Sequence, residues 1–218
     1  MTGAFSVPPL ERLIAAGVDV CGAVVPAGAE GPAWAQAPAP EARSMGLPVL
    51  TPYVQRNIVQ LAWERGLPVF ETADLRSPAA EAAVRELAPD VIVVACFDRL
   101  IPHRVHQLAR LAVNVHPSLL PENRGPAPLF WTFRLGLKET GVTIHLLDDR
   151  PDAGDILAQA RVLVPEGVEP AQLERQLAEI GGRLLLEVLR QFEAGTLHPQ
   201  PQDESKATYH GWPDRVLY

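Results

Sequence analysis

The run Asp90-Val91-Ile92-Val93-Val94-Ala95 restricts the architecture open to this chain more than any other stretch. Side chains of a strand point alternately to opposite faces, so an unbroken apolar run needs cover on both sides. Strands buried on both faces belong to parallel sheets with helices packed above and below. Neighbouring segments supply such helices. Ser77-Pro78 offers a cap and first turn for a helix ending near Leu87, with Glu81 opening its polar face. Tyr53 to Arg65 sets Ile58, Leu61 and Ala62 on one helical face, and Pro8 to Gly17 has proline in its first turn and glycine past its end. Val18 to Val25 reads as a further buried strand, and Leu67 to Phe70 as a second short strand. The pattern predicts an α/β domain.

A second apolar run, Leu111-Ala112-Val113, ends on Asn114-Val115-His116-Pro117-Ser118-Leu119-Leu120-Pro121. Strand alternation turns Asn114 and His116 to the same side. A polar amide and an imidazole on one face at a strand's end make a reactive corner, where open parallel sheets bind ligands. The prolines that follow prevent an early helix and hold the loop in shape. Phe97-Asp98-Arg99-Leu100-Ile101-Pro102 lies at the carboxyl end of the other apolar strand, so it faces the same side of the sheet.

Four ordered blocks carry a resemblance to the folate-dependent formyltransferases. They are Asn114-x-His116-x-Ser118-Leu119-Leu120-Pro121, then Arg124-Gly125, then Glu139-Thr140-Gly141-Val142-Thr143, then Asp152-x-Gly154-Asp155. The chain is most similar to the catalytic domain of the methionyl-tRNA branch, with weaker similarity from Phe5 to about Tyr209. The resemblance implies a Rossmann-like, doubly wound, mostly parallel sheet. It implies transfer of a formyl group from 10-formyltetrahydrofolate to a primary amine, without a metal. Asn114, His116 and Asp152 match the family's catalytic residues. The pterin would rest on Phe97, Arg99, Leu100 and Ile101 and on Leu147, Asp148 and Asp149. Ser118, Arg124 and Gly125 are candidates for the acceptor side. In the family a central strand precedes the first helix. Only Met1-Thr2-Gly3-Ala4 stands there in this chain, so the expectation is a fold lacking that strand unless an upstream segment supplies it.

The chemistry fits those residue types. Attack by an amine on a formyl carbon builds a tetrahedral oxyanion, which needs a donor at the oxygen and a route for the amine proton. The Asn114 amide is an uncharged donor. His116 titrates near neutral pH and can donate or relay, and Asp152 can orient it. Ser118 beside a histidine is read as shaping the loop, not as a nucleophile.

Charge and length bound the alternatives. A net charge of −7 and a pI near 5.4 oppose a dominant grip on a nucleic-acid backbone. The Pro26–Pro48 loop carries only Arg43 on its basic side, which counts against initiator tRNA as acceptor. Amino-sugar nucleotides or other small amines remain open, as do hydrolysis of the donor and a non-catalytic folate-binding remnant. No apolar run approaches the ~20 residues that span a bilayer and no leader is evident, so the cytoplasm is expected.

Residues 1–195 are assigned to one catalytic domain and 196–218 to a polar tail, with no second domain. The long helix from Glu169 to Gly195 is expected to break at Gly181-Gly182. Cys21 and Cys96 sit in apolar runs and are expected as reduced core thiols. His103 and His106 have metal-ligand spacing but no evident third ligand, which favours a solvated helix face. His145 is expected in the core.

Overall fold

The computed structural model describes residues 4–28, 30–39 and 57–213. Expectations for residues 40–56, including the first turn proposed at Tyr53, and for Met1 to Gly3 lie outside those residues. A 3₁₀ turn at Ala4–Ser6 leads into α1 (Val7–Ala15). β1 (Ala23–Pro26), β2 (Ala35–Ala37), α2 (Ile58–Glu64), β3 (Val69–Thr72) and α3 (Pro78–Leu87) follow. Then come β4 (Val91–Val94), α4 (His103–His106), β5 (Leu111–His116), α5 (Pro128–Arg134), β6 (Glu139–Leu146), β7 (Ile156–Leu163) and α6 (Pro170–Glu193). Local chemistry sets several of these ends. Asn57 caps α2 in a reciprocal capping box with Gln60, and Ser77 accepts from the Ala80 N–H at the start of α3.

The strands form two sheets, ordered β1-β3-β2 and β4-β5-β6-β7. β1 and β3 run parallel, as do β4 and β5. The α/β class therefore holds, with one difference from a mostly parallel sheet. β2 pairs antiparallel with β3, and β5-β6-β7 pair antiparallel throughout. For β6 and β7 the physical cause is the connection, the loop 147–155, since a parallel pair needs a crossover of a dozen or more residues. Short β2, in the segment read as loop, adds an edge that sequence alone did not show.

Among the described residues, β1 and β4 each keep one edge without a strand partner. Both border a groove of about 930 Å³, lined by Cys21 to Val24 on one side and Val91 to Ala95 on the other. Cys21 and Cys96 are free and exposed, not core thiols, because both lie where the strands stop being covered.

The main core packs α6 onto β5 and β6, with Val113, Val115, Val142, Ile144, Leu177 and Leu185 all but inaccessible. α6 runs unbroken through Gly181 and Gly182. A side chain at 181 would meet Val115 Cγ1 at 2.7 Å, and one at 182 would meet the Arg12 side chain at 2.8 Å and the Pro8 carbonyl at 3.2 Å. The glycines let the helix lie close to β5 and α1, and the packing outweighs their roughly 1 kcal/mol propensity cost. No helix among the described residues is long and apolar enough to cross a membrane.

Candidate active site

Asn114 and His116 leave β5 on the same side, as alternation requires, and the antiparallel register of β5 and β6 sets His145 directly opposite Asn114. Asn114 Nδ2 donates to Asp152 Oδ1 at 3.3 Å and lies 3.2 Å from His145 Nε2. His145 Nδ1 is 2.8 Å from the Leu146 carbonyl, so it carries the proton there and leaves Nε2 to accept from Asn114. His116 Nε2 faces the Asn123 carbonyl at 3.2 Å, while its Nδ1 stands 3.6 Å from Asp152 Oδ1. Asp152, with φ +53°, is held on its other oxygen by the Gly125 N–H at 2.9 Å. One carboxylate thus gathers an amide, two imidazoles and a backbone N–H.

Burial opposes ionisation of Asp152, but the electrostatics of the neighbouring imidazoles and the Gly125 N–H outweigh it. The carboxyl is held below the usual range. Burial pushes the other way on His116 and lowers its pKa, with Asp152 only partly restoring it. The site therefore rests as an anionic Asp152 beside a neutral, fully enclosed imidazole.

Asn114, His116, His145 and Asp152 border a cavity of about 1320 Å³. Phe97, Leu100, Ile101 and Leu147 give it an apolar wall, and Leu100 is 67% exposed within it. An unpaired leucine on a cavity wall suits the flat face of an aromatic ligand. Asp148 and Asp149 border the same space. Arg99 also borders it, but its guanidinium donates to the carbonyls of Ala27 at 2.7 Å, Thr72 at 3.1 Å and Ala73. That side chain ties the loop after β4 to the ends of β1 and β3, and is spent on structure.

The acceptor-side candidates divide. Gly125 lines the cavity. Ser118 is 1% exposed and its Oγ donates to the Glu122 carbonyl, so it shapes the loop and cannot touch a substrate. Arg124 is buried and held by Gln202 and Glu204. Its role is to receive the C-terminal segment, which is no loose tail. Gln202 Nε2 donates to the carbonyls of Asp152 and Gly154, and the Arg124 N–H and C=O pair with Thr208 and His210. Trp131 stacks on His210 and donates to the Gly211 carbonyl. The segment straps the loops that carry Asp152 and Gly125, and brings Tyr209 and Trp212 to the cavity.

Two features escaped sequence reasoning. His145 is buried and hydrogen-bonded, as expected of a core residue, but it also borders the site; the signal for that was the antiparallel register with Asn114, which no single-strand pattern contains. Tyr209 and Trp212 gave no periodic signal at all.

The α/β fold brings Asn114 and His116, near the end of β5, and Asp152, on the loop between β6 and β7, to one cavity. The formyl transferase family matches residues 33–189, and the chain belongs to that family. It is 40% identical to a methionyl-tRNA formyltransferase of Roseiflexus castenholzii over 94% of its own length, and spans 61% of that relative. HypX from Aquifex aeolicus, solved with tetrahydrofolic acid, superposes with a TM-score of 0.60 at 27% identity, over 71% of this chain and 27% of that one. WlaRD, a sugar 3N-formyl transferase solved with dTDP and 5-N-formyl-THF, shares the fold over 98% of this chain and 67% of its own, with TM-score 0.65 at 14% identity.

Proposed function

We propose that this chain transfers a formyl group from 10-formyltetrahydrofolate to a primary amine. The supporting observation is the set Asn114, His116, His145 and Asp152 joined on one cavity floor beneath the apolar wall of Phe97, Leu100, Ile101 and Leu147. The pterin lies on that wall, and Leu147 to Asp149 border its edge. Asn114 gives up its long contact with Asp152 to donate to the formyl oxygen as the amine nitrogen bonds to the formyl carbon. Asp152, ionised and still anchored by Gly125, takes the amine proton through water, and His116 stabilises the charge that forms beside it. The carbon–nitrogen bond to N10 then breaks, N10 regains a proton, and the formamide leaves.

Charged initiator tRNA is the leading acceptor, on the 40% identity to a methionyl-tRNA formyltransferase. An amino-sugar nucleotide is the second reading, favoured by the net charge of −7. Tetrahydrofolate release from 10-formyltetrahydrofolate, measured with a panel of amines that includes charged initiator tRNA, tests both. Turnover that depends on one amine supports transfer and names the acceptor. Turnover without any amine would replace transfer by hydrolysis, and folate binding without turnover would leave a binding module.

A further inference from the structure

His103 and His106 bracket the single turn of α4, a spacing that sets two imidazoles on one helical face. The fold brings them a carboxylate that lies far away in sequence. Asp149, on the loop after β6, places Oδ1 3.2 Å from His103 Nδ1. The two imidazoles meet edge to face with ring centres 4.9 Å apart. One ligand atom from each of His103, His106 and Asp149 lies within 4.8 Å of the other two.

His106 is not the solvated residue its spacing suggested. It is 8% exposed, and its Nε2 is buried without a hydrogen-bond partner. Buried polar atoms are nearly always satisfied, so an orphaned imidazole nitrogen in such a cluster points to a missing partner.

We propose that His103, His106 and Asp149 bind one divalent transition-metal ion of the imidazole-preferring class, on the rim of the active-site cavity. Zinc bonds to imidazole nitrogen and carboxylate oxygen at about 2.0–2.2 Å, and tetrahedral ligands then stand roughly 3.3–3.5 Å apart. The 3.2 Å between His103 and Asp149 already matches. Their side chains are 54% and 69% exposed, which leaves them free to close the wider separation onto a less mobile His106. Three protein ligands leave a position for water or another donor. The metal would join α4 to the 147–149 loop, the two segments whose neighbours Leu100, Ile101 and Leu147 form the apolar wall. It sits outside the Asn114–His116–Asp152 set and is not required for formyl transfer.

Calorimetric titration of the untagged chain with zinc chloride at pH 7.5 tests this without reference to turnover. One saturable site is expected. His103→Gln and His106→Gln should each weaken it by about tenfold or more, as loss of a ligand must cost no less than loss of an outer-shell partner. His103 is exposed, so its variant keeps the test sound even where the buried His106 change disturbs folding. Zinc that fails to saturate the wild-type chain overturns the site. So does saturable binding that His103→Gln leaves unchanged, since the ion would then sit at the His116–His145–Asp152 cluster.

Discussion

Beneath β4-β5-β6-β7, Val113, Val115, Val142, Ile144, Leu173, Leu177 and Leu185 interlock into one core closed by α6. Among the described residues, the fully buried cluster of the β1-β3-β2 sheet is, by contrast, Ala23, Val25, Ala62 and Val69. Every residue of the proposed chemistry stands on the first sheet and its loops. The second adds no side chain to the chemistry and meets the site region through Arg99, whose guanidinium reaches the ends of β1 and β3. Tetrahedral transition states tolerate errors of well under an ångström, so a reacting group needs a support that cannot drift. Among the described residues, the extensive core lies under the sheet that carries the proposed chemistry.

The largest expected effect separates the chemistry from the packing that supports it. Asn114→Ala should lower turnover by about a hundredfold or more through loss of an oxyanion donor. Its melt and its folate binding should persist. Near-normal turnover by that variant would sink the assignment.

Core truncations test the contrast in packing directly. Leu177→Ala should cost about 2–5 kcal/mol and shift the whole unfolding transition. Val69→Ala, which removes two methyl groups from the smaller cluster, should cost about 1.6 kcal/mol. Denaturant titrations read both, and equal costs would mean the two sheets are packed alike.

Arg99 tests the joint between the halves. Arg99→Ala removes charged hydrogen bonds to the carbonyls of Ala27, Thr72 and Ala73, worth about 1.5–3 kcal/mol together with the packing of its stem. Amide exchange should quicken in β1 and β3 while β5 and β6 stay protected. Uniform protection across both sheets would remove Arg99 as the link.

A milder effect concerns acid. All six histidines lie in or beyond the larger half. His116 has its pKa lowered by burial from an ordinary value of 6.5, so the unfolded chain binds a proton that the native site refuses. Stability is complete above about pH 7 and falls as pH drops below 6.5 toward the lowered native value. The depressed Asp152 adds a loss at much lower pH, as its carboxylate finally protonates. Melting temperatures measured from pH 8 to 5 should decline through the first window. Melting that holds constant to pH 5 would show His116 able to charge freely in place.

Much of the larger half was legible in the chain itself. The apolar runs 91–95 and 111–113 announced strands, and alternation put Asn114 and His116 on one side because the period of a strand is two. The cap at Ser77 is local, so its residues suffice to place it, whereas the Tyr53–Arg65 pattern hides the extended Asn57 that caps α2. Other features depend on partners distant in sequence. Gly181 and Gly182 read as a break until Val115, Pro8 and Arg12 were seen pressing against them. Ser118 and Arg124 looked functional because they flank the site in sequence, yet burial turns one to the loop and the other to the C-terminal strap.

The sequence by itself determined the α/β class and, through the period of a strand, the shared side of Asn114 and His116, while Asp152 joined them only through the family resemblance. Only the tertiary structure decided that His145 faces Asn114, that Gln202 and His210 strap the site, and that Asp149 meets His103 and His106. Each of these is a contact between remote segments whose side chains follow no common period. It is set by register and packing, which local propensity does not encode.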